Sequence, residues 1–156
     1  MKKIFTVMAF SLLCCTAMQA QTASFQKEAI ECLGSENDGS QTLRVTGIGK
    51  NKEDAFEQAK KDAVAAVIFD GIRSGMNGCD SRPIISEMNA RRKYEDYFNL
   101  FFRDNGMYKQ YVDKEVDRKV RSNVKTKNKL FKSYRITVRV YRAELKRRLQ
   151  EDGIIK

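Results

Sequence analysis

The chain has 156 residues with a formal net charge of +10, and it contains no histidine. This length suits a single domain. The lack of histidine excludes Ser-His-Asp and Cys-His catalysis and removes the commonest zinc ligand.

The first 20 residues have the three-part pattern of a secretory signal peptide. Lys2 and Lys3 precede an uncharged, largely apolar run over residues 4–15, and small residues follow up to Ala20. The run is shorter than the roughly 20 residues that a membrane-spanning helix needs. We therefore expect residues 1–20 to be a signal peptide and the rest of the chain to be periplasmic or associated with the outer envelope.

The sequence leaves the cleavage site of this leader open. Cleavage after Ala20 leaves Gln21 as the first residue, and cleavage after Ala17 is the alternative. Cys14 and Cys15 raise the alternative of a lipid anchor, but the residues before them fit a lipoprotein processing site poorly. A mature chain without a lipid anchor is therefore the favoured interpretation.

Cys32 and Cys79 are the cysteines that remain after the leader. In an oxidising compartment two such thiols can pair. Their disulfide would tie the N-terminal segment to the loop after the first helix. Two unpaired thiols are the alternative.

The first half of the mature chain predicts an arm, a strand and a helix. Residues 21–40 are polar, with a turn-forming cluster over 34–40, and predict a loosely ordered arm. Residues 41–49 alternate apolar and polar side chains, which predicts a strand. Asn51 and Asp54 form a capping pair, and an alanine-rich apolar face then predicts a helix that ends near Gly71.

A loop and an aromatic helix are predicted next. Residues 71–83 contain several glycines and the only proline, and therefore predict a loop. Residues 84–104 predict a second helix, because large apolar residues recur every three or four positions. In a chain of this size we expect the aromatic side chains to belong to the core, with a ligand-binding patch as the alternative. The aromatic residues are Tyr94, Tyr97, Phe98, Phe101 and Phe102.

The C-terminal part predicts a β-hairpin and a short helix. Valines at every fourth position over 111–124 fit a helix or a strand, and their β-branching favours the strand. Residues 125–129 are the expected turn, 130–141 a strand with clear alternation, and 142–151 a helix. The expected fold is α+β, with one domain over 41–156. It has a small, mainly antiparallel sheet of about three strands, two main helices packed on one face and a short C-terminal helix.

Two strand-to-helix junctions suggest a family. A strand that ends in Gly47-Ile48-Gly49 leads into an alanine-rich helix, and a strand rich in Val and Arg leads into a helix over 134–149. This pattern resembles envelope domains of the LPP20-like lipoprotein type and the N-terminal domain of the flagellar protein FlgT. The resemblance covers part of the mature chain. It implies an α+β envelope module that acts by binding, and it supplies no catalytic residues.

Residues 47–50, Gly-Ile-Gly-Lys, are superficially similar to a phosphate-binding loop. A P-loop needs a further glycine and a Ser or Thr at the positions that Arg44 and Asn51 occupy here. We therefore interpret these residues as a tight turn between strand and helix. No pattern predicts a cofactor, and Cys32 and Cys79 alone cannot form a closed zinc site.

Basic residues concentrate towards the C-terminus. Residues 114–148 contain 14 lysines and arginines against three acidic residues. Arg135 and Arg139 share one face of the last predicted strand, and we expect Arg121, Lys125 and Lys127 nearby on the hairpin. An electropositive sheet face attracts anionic partners, so these five residues are the predicted partner-binding site. A solvated strand that protects a sheet edge is the alternative.

Together these features predict an exported, non-enzymatic binding or assembly module of the envelope. Its basic face would dock an envelope protein or another anionic envelope component. Association with a membrane would not involve a transmembrane helix, and nucleic acid is not an expected partner outside the cytoplasm. The alternative is a small-ligand-binding protein or a carboxylate-based enzyme with a cleft beside the aromatic helix.

Overall fold

The computed structural model describes residues 30–76, 78–114, 121–122 and 131–156. The strands in these ranges are Glu31–Ser35 (β1), Gln41–Gly49 (β2), Ser74–Gly75 (β3), Val112–Lys114 (β4), Arg121–Ser122 (β5) and Lys132–Val140 (β6). They form one sheet in the order β3-β1-β2-β6-β4, and β5 also pairs with β6. The described pairings are antiparallel except for that between β1 and β3.

The described α-helices are Lys52–Ala65 (α1), Ala90–Lys93 (α2), Glu95–Phe101 (α3) and Arg142–Glu151 (α4). A π-helical turn, Ala66–Asp70, continues α1, and a 3-10 helix, Met107–Tyr111, precedes β4. The predicted α+β class is confirmed, as is the short C-terminal helix. The sheet has more strands than the three that the sequence predicted.

The cap predicted for α1 is present. The Asn51 side chain accepts a hydrogen bond from the backbone N–H of Asp54 at 2.8 Å, which satisfies one of the free N–H groups of the first turn. The helical segment ends at Gly71, whose φ of 73° lies in the left-handed region that glycine tolerates.

Alternation along β2 and β6 gives the sheet two different faces. The side chains of Leu43 and Val45 are buried on one face, beside Ile136 and Val138 of β6, and belong to the same core cluster as the alanines of α1. The intervening residues of both strands lie on the opposite face. We call this opposite face the outer face.

Two glycines allow α1 to lie very close to β2. A Cβ atom at Gly47 would overlap the carbonyl oxygen of Ala55 and lie 2.8 Å from the Cβ of Ala59. A Cβ atom at Gly49 would lie 2.7 Å from the Cβ of Asp54. The turn to the helix follows these residues, so the interpretation of 47–50 as only a tight turn was incomplete. Both glycines make room for the helix.

The prediction of one aromatic helix over 84–104 is wrong for its first turns, and the helical part that follows is interrupted. The backbone N–H groups of Ile84 and Ile85 donate to the carbonyls of Val67 and Ile68 at 3.0 and 2.9 Å, so this segment bonds to the π-helical turn. Tyr94, with φ of −114° and ψ of 37°, separates α2 from α3. Long-range backbone hydrogen bonds thus overrode the apolar periodicity.

The aromatic side chains nevertheless belong mainly to the core, as predicted. Phe98, Phe101 and Tyr108 are 4% exposed or less. The Phe98 ring packs edge-to-face on Phe69 with 4.7 Å between centroids. These contacts fix α3 against the end of α1.

The predicted loose arm over 21–40 is wrong for Glu31–Ser35, which forms β1. Gly34 and Ser35 are poor strand formers, so the sequence pattern was weak. Pairing with β2 on one side and β3 on the other holds this strand in the sheet. Residues 21–29 lie outside the described ranges.

The predicted disulfide between Cys32 and Cys79 is present. It joins β1 to the segment that follows β3, across a sequence separation of 47 residues. Arg142 holds the same segment from the other side, because its guanidinium donates to the Asp80 carboxylate and to the carbonyl of Arg82, both at 3.0 Å. Covalent and polar contacts therefore converge on this loop.

Two short strands, β4 and β5, pair with the edge of β6 that lies opposite β2. Lys114 pairs with Val138 and Arg121 with Arg135, so the chain advances seven residues while β6 advances three. The strand predicted over 111–124 is confirmed for β4 and β5, while Tyr111 belongs to the 3-10 helix. Residues 115–120 and 123–124 lie outside the described ranges. The predicted turn at 125–129 lies outside the described residues.

We predict that Gly47→Ala lowers the free energy of unfolding by about 1–3 kcal/mol or more, because the new methyl group displaces α1 from the sheet. Urea unfolding followed by circular dichroism measures the change. Thr42→Ala, on the outer face of the same strand, is the control and should have a smaller effect. Equal stability of Gly47→Ala and wild type would contradict the close approach.

We predict that the Cys32→Ala/Cys79→Ala variant loses about 2–4 kcal/mol of stability, since the cross-link restricts a long loop in the unfolded chain. Thermal unfolding with and without reductant is the measurement. Reductant should destabilise the wild type and leave the variant unchanged. A wild type that is indifferent to complete reduction would show that the bridge contributes nothing.

Candidate functional site

On the outer face, arginines and threonines alternate along β2 and β6 and also across the two strands. Thr42 lies opposite Arg139 on the neighbouring strand, and Thr46 lies opposite Arg135. Arg44, between the two threonines, lies opposite Thr137, which is only 5% exposed. Directly opposed side chains in antiparallel strands are close enough to interact. The Nε atom of Arg135 donates to the Thr46 hydroxyl at 3.4 Å, which is such a contact.

Carboxylates border this arginine array at the β1 side. Arg44 forms an ion pair of 3.0 Å with Glu31, and Arg139 one of 3.7 Å with Glu36. These side chains are between 34% and 54% exposed, so solvent screens both pairs. The pairs orient the arginines while leaving them accessible from solvent.

The structure brings together part of the predicted partner-binding site. Arg135 and Arg139 lie on the same face of β6, as the alternation predicted. The backbone register places Arg121 opposite Arg135. Lys125 and Lys127 lie outside the described residues. Whether these residues bind a partner stays a prediction.

Sequence reasoning missed Arg44 as a member of this face and the acidic residues beside it. Arg44 has the right position in the alternation of β2, so the signal was present. Glu31 and Glu36 were assigned to the loose arm, which hid their position next to β2 and β6. Glu31 and Glu36 therefore add a negative rim to the predicted basic face.

A groove of about 670 Å³ lies on the other side of the molecule, between α1 and the pair α2 and α3. We call it the helical groove. Ala65, Phe98 and Phe102 provide its apolar surface, and Arg91 and Arg92 contribute cations. Two carboxylates also line it: Asp62, which accepts a hydrogen bond of 2.9 Å from the Gln58 amide, and Glu95. The groove lies beside the aromatic segment, where the alternative function requires a cleft.

A polar cluster ties the 3-10 helix to α1 near this groove. Glu57 accepts hydrogen bonds from Lys60 at 2.9 Å and from the Tyr108 hydroxyl at 2.8 Å, and forms an ion pair of 3.1 Å with Lys109. Partial burial alone would raise the pKa of the Glu57 carboxyl. The three donors outweigh burial and lower this pKa from an ordinary 4.5 to about 2.

A second polar cluster anchors the end of α4. The Tyr97 hydroxyl donates to the Asp152 carboxylate at 2.7 Å, and Arg148 donates to the same oxygen at 2.9 Å. Burial, followed by the contact with Asp152, raises the pKa of Tyr97. Both tyrosine–carboxylate pairs connect elements far apart in sequence, so we assign them a structural role.

Two other features are absent from the described ranges. No group of three or more His, Cys, Asp or Glu side chains there is arranged to hold a metal ion. No helix within the same ranges is long and apolar enough to span a membrane. Comparison with protein families, with curated proteins and with solved structures gave no match.

We predict that the stabilisation from Glu57 is lost in acid. The folded pKa is lower than the ordinary value, so the contribution is complete above about pH 4.5 and disappears as the pH falls towards 2. The difference in unfolding free energy between wild type and Glu57→Gln should therefore shrink over this interval. Urea unfolding at several pH values measures it, with the exposed Glu53→Gln on the same helix as control. A difference that is constant with pH would contradict the cluster.

Proposed function

We propose that the protein is an exported, non-enzymatic binding or assembly module of the envelope that docks an anionic partner on the outer face of its sheet. The observation that carries the proposal is the alternation of Arg44, Arg135 and Arg139 with threonines across β2 and β6. A rigid sheet presents these groups at fixed spacing, which suits binding better than a mobile loop.

Charge supports this choice of partner. The segment 114–148 has a large excess of basic residues, and its register places Arg121 next to Arg135 at one end of the face. Guanidinium groups bind carboxylates and phosphates through paired hydrogen bonds. An acidic protein surface or another anionic envelope component has the complementary chemistry. The signal-like leader and the disulfide support an oxidising compartment.

The alternative function, binding of a small ligand or carboxylate chemistry, would be located in the helical groove. Its volume lies within the range of small-molecule sites. However, one of its carboxylates, Asp62, already accepts the Gln58 amide, and the groove mixes acids with bases. We therefore rank this function second.

We predict that Arg135→Glu/Arg139→Glu abolishes crosslinking of the protein to its envelope partner, because the reversed charges repel an anionic surface. Wild type and variant are compared by crosslinking in intact envelopes, followed by mass spectrometry of the linked peptides. Linked residues on β2 or β6 would locate the interface directly.

Lys146→Glu/Arg147→Glu is the matched control, since it makes the same change of charge on the exposed side of α4. The control should retain the partner. Retention of the same partner by both variants would remove the outer face from consideration. Absence of any specific partner for the wild type would contradict the binding function itself.

A further inference from the structure

The strand β1 is attached to the core mainly through one side chain. Cys32 is the one buried residue of its five, with 2% of its surface exposed. Gly34 and Ser35 are poor strand formers, and the register with β2 shifts between Cys32 and Gly34. The strand on its other side, β3, has two residues. The position of β1 therefore depends strongly on Cys32, whose sulfur is bonded to that of Cys79.

The segment that carries Cys79 has anchors that do not involve the bridge. The Arg142 guanidinium donates to the Asp80 carboxylate and to the carbonyl of Arg82, both at 3.0 Å. Backbone hydrogen bonds then join residues 84–85 to the π-helical turn. Opening of the bridge would therefore leave this segment in place and release β1.

The position of β1 controls one of the two carboxylates beside the outer face. Glu31, its first residue, forms the ion pair of 3.0 Å with Arg44. Glu36 follows the strand and lies in a turn, where its backbone N–H donates to the carbonyl of Ser40 at 2.9 Å. This turn keeps Glu36 near Arg139 without help from the bridge. Release of β1 therefore separates Glu31 from Arg44.

We propose that the oxidation state of the Cys32–Cys79 bridge regulates the outer face. The bridge holds β1, and with it Glu31, beside Arg44, whereas reduction releases the strand and removes this carboxylate. The Glu31–Arg44 pair is partly exposed to solvent, so its loss should strengthen binding of an anionic group by a factor of about two to five. This effect on binding rests on the proposed function, but the release of β1 does not.

Reduction requires a dithiol as co-reactant and proceeds by thiol–disulfide exchange. Cys79 is half-buried and Cys32 is 2% exposed, so a thiolate of the reductant reaches the Cys79 sulfur. A bond forms between these sulfurs, the bond to Cys32 breaks, and Cys32 leaves as a thiolate that takes a proton from water. The second thiolate of the reductant then displaces Cys79 and closes the disulfide of the reductant. The reductant gives up two electrons, and the protein gains two thiols.

Hydrogen exchange of the protein at short labelling times, measured by mass spectrometry, tests the release of β1. Dithiothreitol should speed exchange over 31–35 by about tenfold or more, because this segment then opens locally. Residues 80–85, α1 and β6 should remain protected. Unchanged exchange over 31–35 would overturn the proposal. An equal loss of protection in α1 and β6 would also overturn it, because the bridge would then stabilise the whole fold.

Modification by phenylglyoxal, which reacts with guanidinium groups, measures the exposure of Arg44 without a reductant. In Cys32→Ala/Cys79→Ala, Arg44 should react about twofold faster or more than in the wild type, because its carboxylate partner is gone. Glu31→Gln with the bridge intact should show the same increase. Glu53→Gln, which removes an exposed carboxylate from α1, is the matched control and should react like the wild type. Equal rates in the wild type and the cysteine variant would overturn the proposal.

Affinity for poly-L-glutamate connects this release to docking. Cys32→Ala/Cys79→Ala and bridged Glu31→Gln should bind about two to five times more tightly than the bridged wild type. Arg44→Gln should bind equally with and without dithiothreitol. Equal affinity of the oxidised and reduced wild type would overturn the regulation. Absence of binding by every form would contradict the proposed function, while exchange and modification would still decide whether the bridge holds β1.

Discussion

The close contact between α1 and the centre of the sheet determines most of the architecture. Gly47 and Gly49 present bare backbone to the alanines of the helix, so the two elements approach without intervening side chains. The helix then covers one face of β2 and β6 and leaves polar residues for the other. It also fixes the positions from which Glu57 reaches Tyr108 and Lys61 reaches Asp104. Both candidate surfaces therefore depend on this contact.

These two surfaces lie on opposite sides of the sheet and share no residue. The outer face consists of strand residues held by cross-strand pairs, whereas the helical groove is made by α1, α2 and α3. Occupancy of one surface would therefore leave the other accessible.

Elements with regular alternation or helical periodicity were predictable from the sequence, because local apolar patterns determine them. This holds for β2, β6, α1 and α4, and for the shared face of Arg135 and Arg139. The strand β1 was not predictable, since its stability comes from pairing and from the bridge to Cys79. The break before α2 follows hydrogen bonds from Ile84 and Ile85 to Val67 and Ile68, which are distant in sequence. Glu31 and Glu36 were missed because their positions depend on the pairing of β1 with strands that are distant in sequence.

The change of register between β4 and β5 has a consequence for the behaviour of the protein in concentrated solution. A long, uninterrupted border strand presents unpaired N–H and C=O groups that can recruit the strands of other molecules into fibres. Here the two described strands along this edge of β6 have three and two residues, and their registers differ by four. No straight template of useful length exists along these described strands. The same irregularity that made this part of the chain difficult to predict therefore works against polymerisation along these described strands.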